Sequence, residues 1–192
     1  MSIRIRNARV SDLPRLLSIF RRAHINMFPD DMHYNKYLKI TREYFLNWHM
    51  YVLGQRRYYI SKVLLEDGIV VAYISAVEKF KYSIPSPYAH IPELFVDPKY
   101  QNKGYGSLLL SNCVKECEQT FKRSKWVDLN VSSYNTNAIN VYLKSGFRIM
   151  YKIGPNKKYY TNGPDKKYSI IRMAKPLRKT RIRYYVKHPD CI

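Results

Sequence analysis

The sequence of 192 residues contains no apolar run long enough to cross a bilayer. Its longest apolar stretch, residues 69–77, is far shorter than the roughly 20 residues that a spanning helix needs. Residues 1–12 alternate apolar side chains with Arg and lack the apolar segment of a secretory signal. We therefore expect a cytoplasmic protein that does not associate with membranes.

Cysteine is scarce, with only Cys113, Cys117 and Cys191. Cys113 and Cys117 are four residues apart in an apolar-periodic segment, which is typical of thiols in a helical core. None of the five His residues has the spacing to these cysteines that a zinc site requires. The sequence thus predicts no metal site.

Acidic residues are also scarce, at 14 against 34 Lys and Arg, which leaves a net charge of +20. Residues 144–192 hold much of this excess, and a field of that sign attracts anions. RNA or the ribosome is therefore a candidate partner, although basic runs are also typical of solvated surfaces. The length predicts one domain, residues 1–175, followed by a basic tail, residues 176–192.

Two of the few glycines lie two residues apart in a loop that joins a strand to a helix. The strand Glu93-Leu94-Phe95-Val96 leads through a Pro turn into residues 101–107, and an apolar-periodic helix follows directly. Free backbone amides at a helix start attract an anion, and Gly104 and Gly106 allow a phosphate to approach the main chain. The spacing excludes both a Walker loop and a dinucleotide fingerprint.

A second segment repeats the order strand, loop, helix. Residues 126–131 are typical of a strand, and Asn135 is a predicted N-cap for the helix that follows. Gly146 is its predicted left-handed C-cap. Ala138 and Tyr142 share one face of this helix, and the small Ala leaves room for a ligand beside Tyr142.

Together, Gln101-x-x-Gly104-x-Gly106 and Asn135-x-x-Ala138-x-x-x-Tyr142-x-x-x-Gly146-Phe147 resemble the two acetyl-CoA motifs of the GNAT superfamily of N-acetyltransferases. The resemblance implies an acetyl-CoA-dependent transferase with an α/β (α+β) fold, a mixed and mostly antiparallel sheet of about seven strands flanked by about four helices. The residues that it implies for cofactor binding are Leu94, Phe95, Val96, Gln101, Asn102, Lys103, Gly104, Tyr105, Gly106, Ser107, Asn135 and Tyr142.

The first part of the chain fits this order of elements. Residues 3–8 are a predicted strand with Ile3 and Ile5 inward. The segment Ser11-Asp12-Leu13-Pro14 predicts an N-cap and an early Pro for a helix ending near Met27. An aromatic-rich helix is expected at about residues 35–53, which in the family forms one wall of the acceptor cleft.

The remaining elements are strands. Residues 58–65 and 69–77 are β-branched and apolar, and the Asp-Gly pair between them predicts a hairpin. Residues 80–90 are a predicted loop. A last hairpin is expected from residues 147–153 and 167–173.

Acetyl transfer needs a base for the amine, donors for the oxyanion and a proton for the leaving thiolate. The family uses the Tyr at the position of Tyr142 as the proton donor, and backbone groups of residues 94–96 meet the oxyanion and pantetheine. Glu93 is the predicted general base, with His90 as the alternative. Acetyltransferases of ribosomal proteins often carry a Glu where this chain has Asn130.

The acceptor is left open by the sequence. Tyr159 and Tyr160 resemble the Tyr-Tyr hairpin with which protein N-terminal acetyltransferases hold the acceptor backbone, so a protein or peptide α-amine is the expected acceptor. Residues 93–96 also resemble small-amine acetyltransferases. A third alternative is a GNAT protein that works with RNA or the ribosome through its basic tail. A monomer and a homodimer are both compatible with the sequence.

Overall fold

A computed structural model of the chain describes residues 1–27, 49, 53, 58–80, 87–153 and 170–178. In this part lie seven strands: β1 Ile3–Asn7, β2 Tyr59–Glu66, β3 Ile69–Lys79, β4 Tyr88–Val96, β5 Trp126–Ser132, β6 Arg148–Ile153 and β7 Ile170–Pro176. The helices described here are α1 Leu13–Met27, α2 Tyr105–Thr120 and α3 Thr136–Lys144.

The strands form one sheet in the order β1-β2-β3-β4-β5-β7-β6. Antiparallel pairs join β1 to β2, β5 to β7 and β6 to β7, whereas β4 and β5 run parallel. The predicted α/β fold with a mostly antiparallel sheet is therefore confirmed. The predicted helix at residues 35–53 lies outside the described residues, except for His49 and Leu53.

The chain divides into two compact units. The first comprises residues 1–76 and 93–113, and its core is formed by apolar residues of α1 and β2 to β4, including Leu16, Ile19, Val63 and Phe95. The second comprises residues 77–92 and 114–192. Val127, Leu129 and Met173 are among its buried residues.

Local sequence signals account for most element boundaries. Asp67 and Gly68 both have positive φ, 48° and 83°, and form the predicted hairpin turn between β2 and β3. The Asn135 side chain accepts a hydrogen bond from the Ala138 amide at 3.1 Å, which confirms the predicted cap of α3. Cys113 and Cys117 are fully buried in the helix, as predicted.

Three local expectations are wrong. Ile3 is 37% exposed because β1 is the edge strand of the sheet. A short 3-10 helix, Val10–Asp12, precedes α1, and its N-cap residue is Arg9, which lies before the predicted capping segment 11–14; the Arg9 amide donates to the Asp12 carboxylate at 2.8 Å. β4 begins at Tyr88, inside the predicted loop, because Tyr88 packs on the Trp126 ring and Ala89 pairs with Val127.

None of the described helices is long and apolar enough to cross a membrane.

Candidate active site

The glycine loop between β4 and α2 has the geometry of an anion cradle. Asn102 and Gly104 both have positive φ, 63° and 78°, and such alternation turns successive N–H groups toward one side of the loop. The first helical hydrogen bond of α2 runs from the Leu108 amide to the Gly104 carbonyl at 3.0 Å. The amides of Tyr105, Gly106 and Ser107 precede it and have no acceptor within the helix.

The loop is fixed to the end of β4. The Gln101 side-chain amide donates to the Val96 carbonyl at 3.2 Å, and the Asp97 carboxylate accepts from the Lys99 amide at 3.3 Å. Asp97 is only 1% exposed, and Arg15 and Arg22 of α1 donate to it at 2.9 Å and 2.7 Å. Burial raises the pKa of Asp97, but the hydrogen bond from Arg22 and its other partners outweigh this and lower it.

A second carboxylate, Glu66 at the end of β2, fixes the other side of the loop. The Lys103 ammonium lies 2.9 Å and 3.2 Å from its two oxygens, and the Tyr105 hydroxyl also donates to it. The hydrogen bond to Glu66 raises the pKa of Tyr105 to about 12. Lys103 therefore offers the cradle its backbone amide, while its side-chain charge is paired with Glu66.

Glu93, the predicted base, lies near the middle of a polar group in the first unit. Its Oε2 accepts from the Ser75 hydroxyl at 3.3 Å and lies 3.2 Å from Nε2 of His49. His49 is almost fully buried, and its ring lies 5.2 Å from that of Tyr73. No sequence signal pointed to His49, because a partner 44 residues away leaves no local pattern.

In the second unit, Tyr142 lies on α3 and is 8% exposed. Its ring centroid is 6.0 Å from that of Phe147, and burial raises its pKa to about 12. Within the described parts of the chain, no hydrogen bond engages its hydroxyl group. The phenol is therefore protonated at every pH near neutrality.

The alternative base, His90, belongs to a charged group that the sequence did not reveal. Its Nδ1 lies 2.6 Å from Oδ1 of Asp128, and Arg172 donates to the other oxygen of Asp128. Asp128 precedes Asn130 by two residues on β5, so the two side chains lie on the same face. An Asp within the apolar strand 126–131 was the available signal, because a buried carboxylate requires partners.

The predicted site residues thus fall into both units. Glu93 to Val96 and the cradle belong to the first unit, whereas Asn135 and Tyr142 belong to the second. Tyr159 and Tyr160 lie outside the described residues. Among the residues that the structure describes, no group of three or more His, Cys, Asp or Glu side chains could hold a metal ion.

Comparison with known proteins identifies the class of this chain. Residues 13–147 match the model of the acetyltransferase (GNAT) family, and the chain belongs to that family. The prediction of an acetyl-CoA-dependent N-acetyltransferase is thereby confirmed, with acetyl-CoA as the acyl donor.

The relatives of this chain include a protein named for α-amine acetylation. The chain is 28% identical over 180 residues to a protein of Sulfurisphaera tokodaii named N-alpha-acetyltransferase, a match that covers 91% of this chain and 93% of that protein.

The solved structures that share the fold include two N-acetyltransferases. One is the ribosomal-protein-S18-alanine N-acetyltransferase of Escherichia coli, with 24% identity, a TM-score of 0.66, and coverage of 96% of this chain and 99% of that one. The other is the PaiA N-acetyltransferase of Thermoplasma acidophilum in complex with coenzyme A, with 20% identity, a TM-score of 0.69, and coverage of 92% and 99%.

Proposed function

We propose that this enzyme transfers the acetyl group of acetyl-CoA to the α-amino group of a protein or peptide. The observation that carries the proposal is the similarity over nearly the whole chain to a protein named N-alpha-acetyltransferase. A carboxylate base such as Glu93 is suited to an α-amine as the acceptor of the acetyl group. An α-amine has a pKa of about 7.7 to 8.0 and is partly neutral at pH 7, whereas a Lys ε-amine near 10.4 needs a stronger base.

The cradle of residues 101–107 would hold the pyrophosphate of acetyl-CoA. Its first-turn amides and the positive end of the α2 dipole favour a negative charge. The loop is held on both sides by contacts within the protein, to Asp97 and to Glu66. Such preorganisation reduces the entropy that binding must remove.

Backbone groups of residues 94–96 would meet the pantetheine and the oxyanion. The described pairs between β4 and β5 are Ala89 with Val127, His90 with Asp128 and Ile91 with Leu129, although β4 continues to Val96. Beyond Ile91, β4 therefore no longer pairs with β5. An acyl oxygen needs donors, and the backbone N–H groups of this segment would supply them.

Glu93 would remove a proton from the acceptor ammonium, and Tyr142 would act on the leaving sulfur. A phenol with a pKa of about 12 is a weaker acid than an alkyl thiol of pKa about 8.5, so complete transfer to the thiolate is uphill by on the order of 5 kcal/mol. Tyr142 therefore stabilises the sulfur mainly by donating a hydrogen bond while its negative charge develops.

The test is thiol release with a panel of acceptors. Peptides with free N-termini should support turnover, and the same peptides with acetylated N-termini should not. Spermidine and an aminoglycoside serve as small-amine controls, and the net charge of +20 disfavours such polycations. Turnover confined to small amines would favour the alternative that residues 93–96 suggested, and turnover that needs only an internal Lys would refute the α-amine assignment.

The basic C-terminal region supports a further partner. Residues 144–192 contain fourteen Lys and Arg against Asp165 and Asp190, which exceeds the charge that one cofactor requires. We propose that this region adds affinity for RNA or the ribosome, where an N-terminal substrate would emerge.

A further inference from the structure

Three side chains from neighbouring strands meet in the second unit. His90 lies on β4, Asp128 on β5 and Arg172 on β7. Asp128 is fully buried, whereas the side chains of His90 and Arg172 are 13% and 16% exposed. His90 approaches one carboxylate oxygen, and the Nε of Arg172 donates to the other at 2.9 Å. A buried carboxylate is thus held between a permanent cation and an imidazole.

This arrangement decides which nitrogen of His90 carries the proton. Arg172 donates to the second oxygen of Asp128, and a carboxylate paired with a guanidinium only accepts hydrogen bonds. The Nδ1 atom that lies 2.6 Å from it must therefore carry a hydrogen. In the neutral ring the lone pair is then on Nε2, on the side away from Asp128.

The position of His90 on its strand is also specific. His90 and Asp128 form the middle one of three pairs between β4 and β5, and the last pair is Ile91 with Leu129. β5 continues to Ser132. His90 is therefore one residue from the point where the pairing of these parallel strands ends, which under the proposed function is where the acyl group of acetyl-CoA enters.

We propose that His90 is a second proton acceptor of the transfer and that Asp128 and Arg172 are its positioning residues, an inference that rests on the proposed function. The ammonium of the acceptor loses one proton before it attacks. When the new C–N bond forms, the nitrogen becomes positively charged and must lose another, which Nε2 of His90 accepts. The C–S bond then breaks, sulfur gains one proton, and one proton in total passes to solvent.

A purely structural ion cluster would need only the Nδ1 side of the ring. The variant His90→Asn separates the two roles, because the amide nitrogen of Asn takes the place of Nδ1 and has no counterpart of Nε2. The variant Asp128→Asn keeps the shape of the side chain and removes the charge that fixes the tautomer. Asp128, Arg172 and Lys79 are the charged groups around His90 in the described part of the second unit, and Lys79 interacts with the other two.

The experiment measures kcat, KM and their pH dependence with an α-amine peptide for the wild type, His90→Asn, Asp128→Asn and Glu93→Gln. We expect His90→Asn to lower kcat about a hundredfold, the lower range for general base catalysis. Its melting temperature and its Kd for coenzyme A should be unchanged. Added imidazole should restore part of the turnover, because it supplies the proton acceptor that the variant lacks.

Nitrogen NMR of the wild-type protein labelled in histidine gives a readout that does not depend on activity. It should show His90 as the Nδ1–H tautomer, and Asp128→Asn should change that signal if the variant folds. A kcat of His90→Asn within about twofold of wild type, or an Nε2–H tautomer in the wild type, would overturn the proposal. Absence of turnover by the wild type on α-amines would instead refute the proposed function.

Discussion

The methyl group added by Gly104→Ala probes the cradle without touching the rest of the protein. Gly104 has φ of +78°, and a Cβ built there meets no atom within 4 Å. The only cost to the fold is therefore the left-handed conformation, roughly 1–2 kcal/mol for an L-residue. Because 1 kcal/mol corresponds to about 2–4 °C in a chain of this size, the melting temperature should fall by roughly 2–8 °C.

Gly68 supplies a matched control. It lies in the β2–β3 turn with φ of +83°, and a Cβ there also meets no atom within 4 Å. The free energy of unfolding should therefore fall by the same amount in Gly68→Ala as in Gly104→Ala. Only the methyl at Gly104 would occupy the space above the loop that a pyrophosphate needs.

Calorimetric titration with coenzyme A separates the two variants. The Kd should rise more than about tenfold, or about 1.4 kcal/mol, in Gly104→Ala and remain at the wild-type value in Gly68→Ala. Thermal unfolding of both proteins shows whether their folds are equally affected. Equal affinity of Gly104→Ala and the wild type would refute the assignment of the cradle.

The remaining predictions concern catalysis, stability and charge. Tyr142→Phe should lower kcat in steady-state assays with little change in the KM for acetyl-CoA, because the ring stays and only the donor is lost; an unchanged kcat would make Tyr142 a core residue. The free energy of unfolding of Asp97→Asn, measured with urea at neutral pH, should be about 2–3 kcal/mol lower than that of the wild type. This loss is smaller than the cost of breaking a fully buried ion pair, because Arg15 and Arg22 are each 35% exposed. Because the pKa of Asp97 is lowered on folding, its carboxylate contributes to stability above about pH 4, and this contribution disappears as the pH falls through the folded-state pKa. A stability difference between the variant and the wild type that stays constant in acid would contradict this prediction. Deletion of residues 176–192 should weaken binding to RNA and flatten its salt dependence, and identical binding with and without them would leave only a basic surface.

Features with a local cause could be predicted from the sequence. Asp67-Gly68 predicted the hairpin because only a few residues tolerate its positive φ angles, and Asn135 predicted the start of α3 because its side chain caps an amide three residues away. Gly104 likewise has a positive φ, 78°, in the loop that the glycine spacing predicted between a strand and a helix. In each case the residues that determine the structure are neighbours in the chain.

Features that depend on strand register could not be predicted in this way. Asp128 meets His90 because β4 and β5 pair in one particular register, and Asp97 meets Arg22 across 75 residues of sequence. The charged residue in the apolar strand 126–131 indicated a buried partner but not its identity. The exposure of Ile3 likewise follows from the edge position of β1, which an alternating pattern does not specify.

The most direct test of α-amine acetylation uses one peptide that carries both a free N-terminus and an internal Lys. After incubation with the enzyme and isotopically labelled acetyl-CoA, tandem mass spectrometry locates the label on one of the two nitrogens. We expect it on the α-nitrogen alone, because that amine is partly neutral at pH 7. Label on the ε-nitrogen, or none on a peptide under conditions where small amines are acetylated, would contradict the proposed function.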